Sequence, residues 1–466
     1  MNAIILSALL GVVMMFSGIV IKSKHAIVST ALVCLVILLL GNLCDTYGCF
    51  SISMDLHEML AFNKFGQFFN TIAITATLLY VLLSGKDIVK VGNYPAEYFA
   101  LIFFVLCGVS ILSAFNNLLM MFLGIEILSI PLYILTGSDK KNLKSNEASL
   151  KYFLMGAFST GLMLMGIALL YGATGSFGIE APVARQLSNG VQQRAPILEV
   201  IGLIFVFVSL LFKVSAAPFH FWTPDVYDGA PSVFTSFMAT IVKAAGFIAF
   251  IHLFEGRADE MESIWKMLLV LTIVATLLIG NVTAVFQQSV KRMLAYSSIA
   301  QAGFMLFALY SRNDMAKEGI LLYAVAYSIA TVGIFAILIK MKDYTFDGYN
   351  GLAKTQPLLA VANTVFLLSL AGIPLTAGFF AKYWMLASVM KAGGSSAIAL
   401  IVIAVIFAAV SVYYYFRVIQ AMYFKEGNAE TTEEISQGFK IGLLIMSAII
   451  IILGVFPDAL LQWFYF

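Results

Sequence analysis

Charge is scarce in this chain. Asp, Glu, Lys and Arg make up 11% of its 466 residues, where a soluble globular domain carries roughly 25%. So few charges exclude a soluble domain of useful size. Cysteine is scarce too. Cys34, Cys44, Cys49 and Cys107 show no metal-ligand spacing, and Cys44 with Cys49 is too loose for a redox pair. His220 and His252 stand singly, without a second ligand nearby in sequence, so no metal site is expected. The chain also lacks a phosphate-cradling glycine loop, a nucleophile elbow and any haem or iron–sulfur ligand pattern. Nucleotide chemistry, covalent catalysis and redox chemistry of its own are thereby excluded, and no cofactor is expected in this chain. No basic tract points to nucleic acid, and the net charge of +2 says little.

What is present is apolar surface. Hydrophobic residues make up 61% of the chain and the mean hydropathy is +0.96, values of an integral membrane protein. Runs of about 18 or more apolar residues, each long enough to cross a hydrocarbon core about 30 Å thick, recur along almost the whole length. Met1 to Val20 lacks the basic n-region and cleavage site of a signal peptide and reads as the first span. The expected fold is an all-α polytopic membrane protein with about fourteen transmembrane helices. They fall at roughly 2–21, 26–44, 65–84, 96–113, 116–136, 147–171 and 197–220. The others lie at roughly 230–253, 263–284, 290–310, 316–340, 357–391, 397–424 and 438–463.

Orientation follows from lysine and arginine in alternate loops. Lys22, Lys24, Lys86, Lys90, Lys140, Lys141, Lys144, Lys291, Arg292, Lys340, Lys342, Lys354 and Lys425 gather on one side. Lys64, Arg185, Arg194, Arg257, Arg312, Lys317 and Lys391 gather on the other. The richer side is expected in the cytoplasm. Both termini, the 172–196 loop and the acidic 254–262 turn then face the periplasm or exterior.

Two spans are interrupted. One runs through Lys213 and Pro218 in LFKVSAAPFHFWTPDVYDGAP; the other reads LSLAGIPLTAGFFAKYW, with Gly372, Pro374 and Gly378 ahead of Lys382. Each couples a helix break to a lysine. A proline inside a membrane frees backbone groups that something must satisfy, and a buried charge needs a partner or a water-filled cavity. The breaks lie near the middle of two five-span blocks. Because five is odd, the second block enters the membrane from the opposite side, as in inverted-topology repeats. The chain is thus divided into an N-terminal three-helix segment (1–95), a first repeat (96–253), a second repeat (254–424) and a C-terminal helix (425–466).

The intramembrane ionisable residues are the candidate site. Glu126 lies mid-span in FLGIEILSIPLY, either protonated and hydrogen-bonded to a neighbouring helix or ionised beside a lysine; the pair with Lys213 is favoured. Lys243 is about a dozen residues into its span, too deep to snorkel comfortably. Burial disfavours the ammonium form, so Lys213, Lys243 and Lys382 can each accept and release a proton at working pH. For Lys151, near its helix start, snorkelling and relay are both open. Lys340 and Arg417 read as interfacial anchors, His252 as a structural histidine, and His220, directly after the first break, as a possible participant in proton transfer.

The segments KVSAAPFHFWTPDVYDGAP (213–231), GIEILSIPLY (124–133), RMLAYSSIAQAGF (292–304) and AGIPLTAGFFAKYW (371–384) carry a resemblance. With them the chain resembles the antiporter-like membrane subunits of bacterial proton-pumping NADH–quinone oxidoreductase, complex I, over essentially its whole length. Large subunits of multisubunit sodium/proton antiporters share that fold. The TPDVYDGAP turn favours the subunit N group, Lys382 argues against subunit M, and the long lateral helix of subunit L is missing. The resemblance implies proton translocation coupled to electron transfer from NADH to quinone in other subunits. It implies FMN, iron–sulfur clusters and quinone in those subunits, and neighbouring antiporter-like and small membrane subunits as partners in a bacterial inner membrane. It assigns Glu126 and Lys213 to the charged pair of a first half-channel, Lys243 to a central relay, Lys382 to the terminal exit and Lys151 to a supporting place. Related chains often carry histidine where this one has Gln301, so water is expected to bridge there. A stand-alone cation/proton antiporter using the same lysines, and a passive assembly subunit that does not need them, are the other classes.

Overall fold

The computed structural model describes residues 1–52, 58–179, 197–255, 262–394 and 396–464. Arg185, Arg194 and Arg257, and most of the 172–196 loop and the 254–262 turn, lie outside the described residues. Helices α1 (Asn2–Val20), α2 (Lys24–Thr46) and α3 (Lys64–Val91) open the chain. They are followed by α4 (Pro95–Leu112), α5 (Leu118–Thr136), α6 (Leu143–Thr174), α7 (Ile197–Lys213) and the short α8 (Trp222–Gly229). The next span runs through α9 (Ser232–Phe237), a π-helical turn at Met238–Val242, and α10 (Lys243–Glu255). Then come α11 (Glu262–Val285), α12 (Val290–Met305), α13 (Phe307–Ser311), α14 (Asp314–Lys340) and a short α15 (Leu352–Thr355). The chain closes with α16 (Pro357–Ala371), α17 (Ala377–Ala392), α18 (Ala397–Phe424), α19 (Gln437–Val455) and α20 (Asp458–Phe464).

Twelve helical spans among the described residues are long and apolar enough to cross a membrane. The other two expected segments are α7, 17 residues long, and the broken α16–α17 pair, so the reading of fourteen holds with these as incomplete helices. The polar residues between apolar runs start the helices. The side chains of Asn63, Asn117, Asn142 and Asn313 each accept a hydrogen bond from a first-turn N–H of α3, α5, α6 and α14, which satisfies donors that the helix itself leaves free.

Two spans differ from expectation. The segment expected at 438–463 is two helices, because Pro457 cannot continue α19 and α20 restarts after it. Helix α3 runs to Val91, well past residue 84. Its last turns carry Asp87 and Lys90, which are neutralised by Lys340 and Glu433: the Lys340 ammonium lies 2.7 Å from both Asp87 oxygens, and Lys90 lies 2.9 Å from Asp87 and 2.6 Å from Glu433. That network also gathers cations that loop counting placed on one side.

Both breaks are real, and each accounts for its freed backbone. After Lys213 the chain turns at Ser215 (φ 63°). The Ala216 N–H donates to the Leu211 carbonyl at 2.9 Å, the Trp222 indole donates to the Phe212 carbonyl at 3.0 Å, and the Ala217 N–H donates to the Thr276 hydroxyl at 2.9 Å. At the second break Gly372 adopts φ +83°, a left-handed turn that a side chain resists. There the Gly372 and Ile373 N–H groups both donate to the Leu368 carbonyl at 3.0 Å. The breaks therefore stand inside the protein because side chains and turns replace the lost helical bonds.

Candidate functional site

The first lysine stands on the last residue of α7, at the edge of its break. Its ammonium donates to the Ser129 hydroxyl at 2.8 Å and the Tyr133 hydroxyl at 3.5 Å, both on α5. Glu126, Ser129 and Tyr133 recur at helical spacing on one stripe of α5. The expected Glu126–Lys213 contact is not made: no ion pair within 4.0 Å joins them, and one Glu126 carboxylate oxygen is buried without a hydrogen-bond partner. The reason is register, since Lys213 meets the stripe one to two turns beyond Glu126. The carboxylate remains close enough to act on the ammonium electrostatically.

Lys243 follows the π-helical turn, a distortion common at functional positions. It is 1% exposed and donates to the Ser298 carbonyl at 2.7 Å and the Ser298 hydroxyl at 2.8 Å. Lys213 and Lys243 belong to neighbouring surfaces. Gly246, one turn past Lys243, meets Val214 so closely that an added Cβ would come within 2.9 Å of its side chain.

Gln301 lies one turn past Ser298 on α12. Its amide donates to the Leu370 carbonyl at 2.9 Å and to the Tyr415 hydroxyl at 3.1 Å, and its carbonyl accepts from the Tyr323 hydroxyl. Lys382, 7% exposed, donates to the same Leu370 carbonyl at 2.8 Å and to Ala371 at 3.0 Å. These are the last carbonyls of α16, the negative end of its dipole and a natural seat for a cation. A buried polar row thus runs from Lys243 through Ser298 and Gln301 to Lys382. Gln301, which reads in sequence as an interruption, sits in this row and shares the Leu370 carbonyl with Lys382. A cavity of about 10 Å³ beside it, bordered by Tyr323, Tyr327 and Lys382, has room for about one water.

Lys151 does not join that row. Its ammonium pairs with Glu147 at 2.8 Å and Asp225 at 2.9 Å, and Asp225 also accepts from Arg292 at 3.1 Å. Burial opposes the charge on Asp225, but the two cations offset it and hold the carboxyl below the usual carboxylate range. His220 lies in the first break with a buried Nδ1 that has no partner. His252 packs edge-on against Phe115, ring centroids 4.8 Å apart. Among the described residues no group of three or more His, Cys, Asp or Glu could hold a metal. Sequence reasoning missed Ser129, Tyr133, Ser298, Tyr323 and Tyr415. The signal available for Ser298 was a polar pair, Ser297–Ser298, one turn before Gln301 in the same span.

Comparison with known proteins agrees with this architecture. Residues 115–411 match the family described as NADH:quinone oxidoreductase/Mrp antiporter, TM. NADH-quinone oxidoreductase subunit N of Cytophaga hutchinsonii is 40% identical over 467 residues, covering 99% of this chain and 99% of that protein. A chain of respiratory complex I from Thermus thermophilus superposes with a TM-score of 0.83 at 31% identity, covering 99% of this chain and 98% of that one. A chain of the Mrp complex from Dietzia superposes at 0.82 with 18% identity, a likeness of fold alone.

Proposed function

Since the chain belongs to the NADH:quinone oxidoreductase/Mrp antiporter family, we propose that it works as the subunit N type of membrane subunit in a bacterial NADH–quinone oxidoreductase and moves protons across the membrane along its buried lysines. The observation that carries this reading is the polar row from Lys243 through Ser298 and Gln301 to Lys382. Buried ionisable groups are costly in a membrane interior, and a row of them interspersed with hydroxyls and an amide supports proton transfer.

Lys213 is the input. It sits on neutral hydroxyls with Glu126 beyond ion-pair distance, so its hold on a proton depends on where that carboxylate moves. At about 4 Å the attraction amounts to about 4 kcal/mol at an effective dielectric near 20, relative to full separation, roughly a thousandfold in an equilibrium constant. Opening the gap releases the proton toward Lys243, and the row carries it on to Lys382. Lys151, held in a carboxylate network, supports the first half rather than relaying. His220 is placed to assist at the break.

Electron transfer from NADH to quinone, with its FMN and iron–sulfur clusters, is assigned to other subunits. Free energy reaches this chain through contacts with neighbouring antiporter-like and small membrane subunits. Residues 96–253 and 254–424 are proposed as inverted halves, each with one broken helix, flanked by 1–95 and 425–466. The lysine-rich side is assigned to the cytoplasm of a bacterial inner membrane and both termini to the opposite side. A stand-alone sodium/proton antiporter is the weaker reading, because it is supported by the shared family and fold while the relative at 40% identity is an oxidoreductase subunit. The test is Glu126→Ala and Lys213→Ala in the assembled enzyme, with proton movement measured against NADH oxidation. A lowered ratio in both variants is expected, and wild-type ratios in both would refute the reading.

A further inference from the structure

Helix α3 is packed inside the protein along most of its length, and from Phe65 to Val91 its exposed residues are Leu82, Lys86 and Lys90. These recur every four residues, so they form one stripe, which ends at the lysine-rich side. Leu83 and Gly85 lie on opposite flanks of that stripe, and each meets a different helix. A Cβ added to Gly85 would come within 2.9 Å of Val28 on α2, and one added to Gly442 of α19 would come within 3.0 Å of Leu83. The stripe is therefore the floor of a groove walled by α2 and α19. At its lysine-rich end lies a cavity of about 600 Å³.

Charge in this cavity is unbalanced. Lys340 and Lys90 are matched by Asp87 and Glu433. Lys24 and Lys86, both exposed, are left with Glu434 as the one other carboxylate of the lining, and His25 stands beside them. Lys24 donates to the Val89 carbonyl at 3.3 Å, and its ammonium carries two more N–H donors. The first turn of α19 opens here as well and adds the positive end of a helix dipole. Away from the lysines the groove is apolar. It runs past Leu82, 57% exposed, along the side of α19 that carries Gly438, Ile441 and Ile445.

We propose that this groove binds one acidic phospholipid, with its phosphate against Lys24 and Lys86 and an acyl chain along Leu82 and the exposed side of α19. An anionic head and an apolar tail are the two properties the groove complements, and they are joined in that order only at the edge of a membrane. Basic pockets between membrane helices on the cytoplasmic side take such headgroups. The inference rests on the membrane spans and not on the row of relay lysines, so either can fail without the other.

The test uses the purified complex that contains this chain, delipidated in detergent and titrated with mixed micelles of dioleoylphosphatidylglycerol or of dioleoylphosphatidylcholine. Phospholipid retained per complex is counted by extraction and mass spectrometry for the wild type, for Lys24→Gln combined with Lys86→Gln, and for Gly438→Glu. A Cβ on Gly438 meets nothing within 4 Å, and a carboxylate in the first turn of a helix is favourable, so Gly438→Glu brings a negative charge to the cavity without weakening α19. Each lysine near an acidic headgroup is worth about fivefold in binding, so the double variant should hold phosphatidylglycerol about 30-fold more weakly at this site. Gly438→Glu should retain one phosphatidylglycerol fewer than the wild type, and phosphatidylcholine retention should be the same in all three. Wild-type retention of phosphatidylglycerol in Gly438→Glu overturns the proposal, whether or not the double variant assembles. Equal loss of phosphatidylcholine would show a groove indifferent to charge, and displacement of the lipid by inorganic phosphate would show a site for a small anion; either result overturns it too.

Discussion

Replacing Gly378 by alanine should disconnect Lys382 from its seat. Gly378 stands at the start of α17, and a Cβ built on it comes 1.9 Å from the Ser369 carbonyl oxygen, where real Cβ contacts essentially never fall under 3.0 Å. The obstacle is backbone, so it cannot rotate away as a side chain would. Helices α16 and α17 must separate by at least 3.0 − 1.9 = 1.1 Å at this point. The Gly378 N–H bond to the Ser369 hydroxyl, 3.1 Å long, is stretched by the same movement. If α17 shifts as a body, the Lys382 bonds of 2.8 and 3.0 Å lengthen toward 4 Å, beyond hydrogen-bonding distance. Overpacking of this kind costs about 1–3 kcal/mol. Gly161→Ala is the control, because an added Cβ there meets nothing within 4 Å and alanine in a helix interior is favourable by about 1 kcal/mol. The assay is the proton ratio and thermal stability of the assembled enzyme. Gly378→Ala should lower both while Gly161→Ala lowers neither. Wild-type values in Gly378→Ala would show that the break does not fix Lys382 as the geometry requires.

Two further substitutions follow from the same contacts. Asp87→Asn leaves the Lys340 ammonium buried without its two-point partner, which costs about 3–5 kcal/mol, whereas Lys90→Gln removes a half-exposed pair worth about 0–1 kcal/mol; denaturation of the assembled enzyme should separate the two clearly. Gln301→Leu strips the Tyr323 hydroxyl of its acceptor and Tyr415 of a donor, at about 1–3 kcal/mol per buried group left unpaired, and should lower the proton ratio with NADH oxidation retained to a greater extent; an unchanged ratio would show that the path does not pass through Gln301.

Much of this was legible in the amino-acid sequence, and the parts that were not share a cause. Long apolar runs announced the spans, because a helix needs about 20 apolar residues to cross a hydrocarbon core, and Pro218 and Pro374 marked both breaks, because neither can continue a helix there. Depth was legible as well: Lys243, a dozen residues into a span, is nearly sealed from solvent. Rotation of one helix against another was not. Which residue of the Glu126, Ser129, Tyr133 stripe meets Lys213 depends on how α7 sits against α5, and hydropathy carries no signal about that. The same applies to Lys151, whose span could have faced it inward, and to Lys291, which was counted among the flanking cations and is packed in the interior. Helix α3 ran long for a related reason. Asp87 and Lys90 look like the end of an apolar run until α14 and the segment after α18 supply their counter-charges.

The partners of the lysines distinguish two kinds. Buried Lys340 faces both oxygens of Asp87, and the more exposed Lys151 and Lys342 face carboxylates as well. Giving up a proton there would strand a negative charge, so these lysines stay charged and hold the structure. Lys213, Lys243, Lys382 and Lys291 instead face hydroxyls and backbone carbonyls. Those neutral oxygens accept from an amine as well as from an ammonium, so neither protonation state leaves a bond unmade. The three lysines proposed to relay protons all meet this condition. Exchanging the partner should therefore exchange the role. Ser298→Asp would place a carboxylate against Lys243 and fix its charge, and the proton ratio should fall although every lysine is still present. A wild-type ratio in that variant would show that the neutrality of the partner is not what marks a relay lysine.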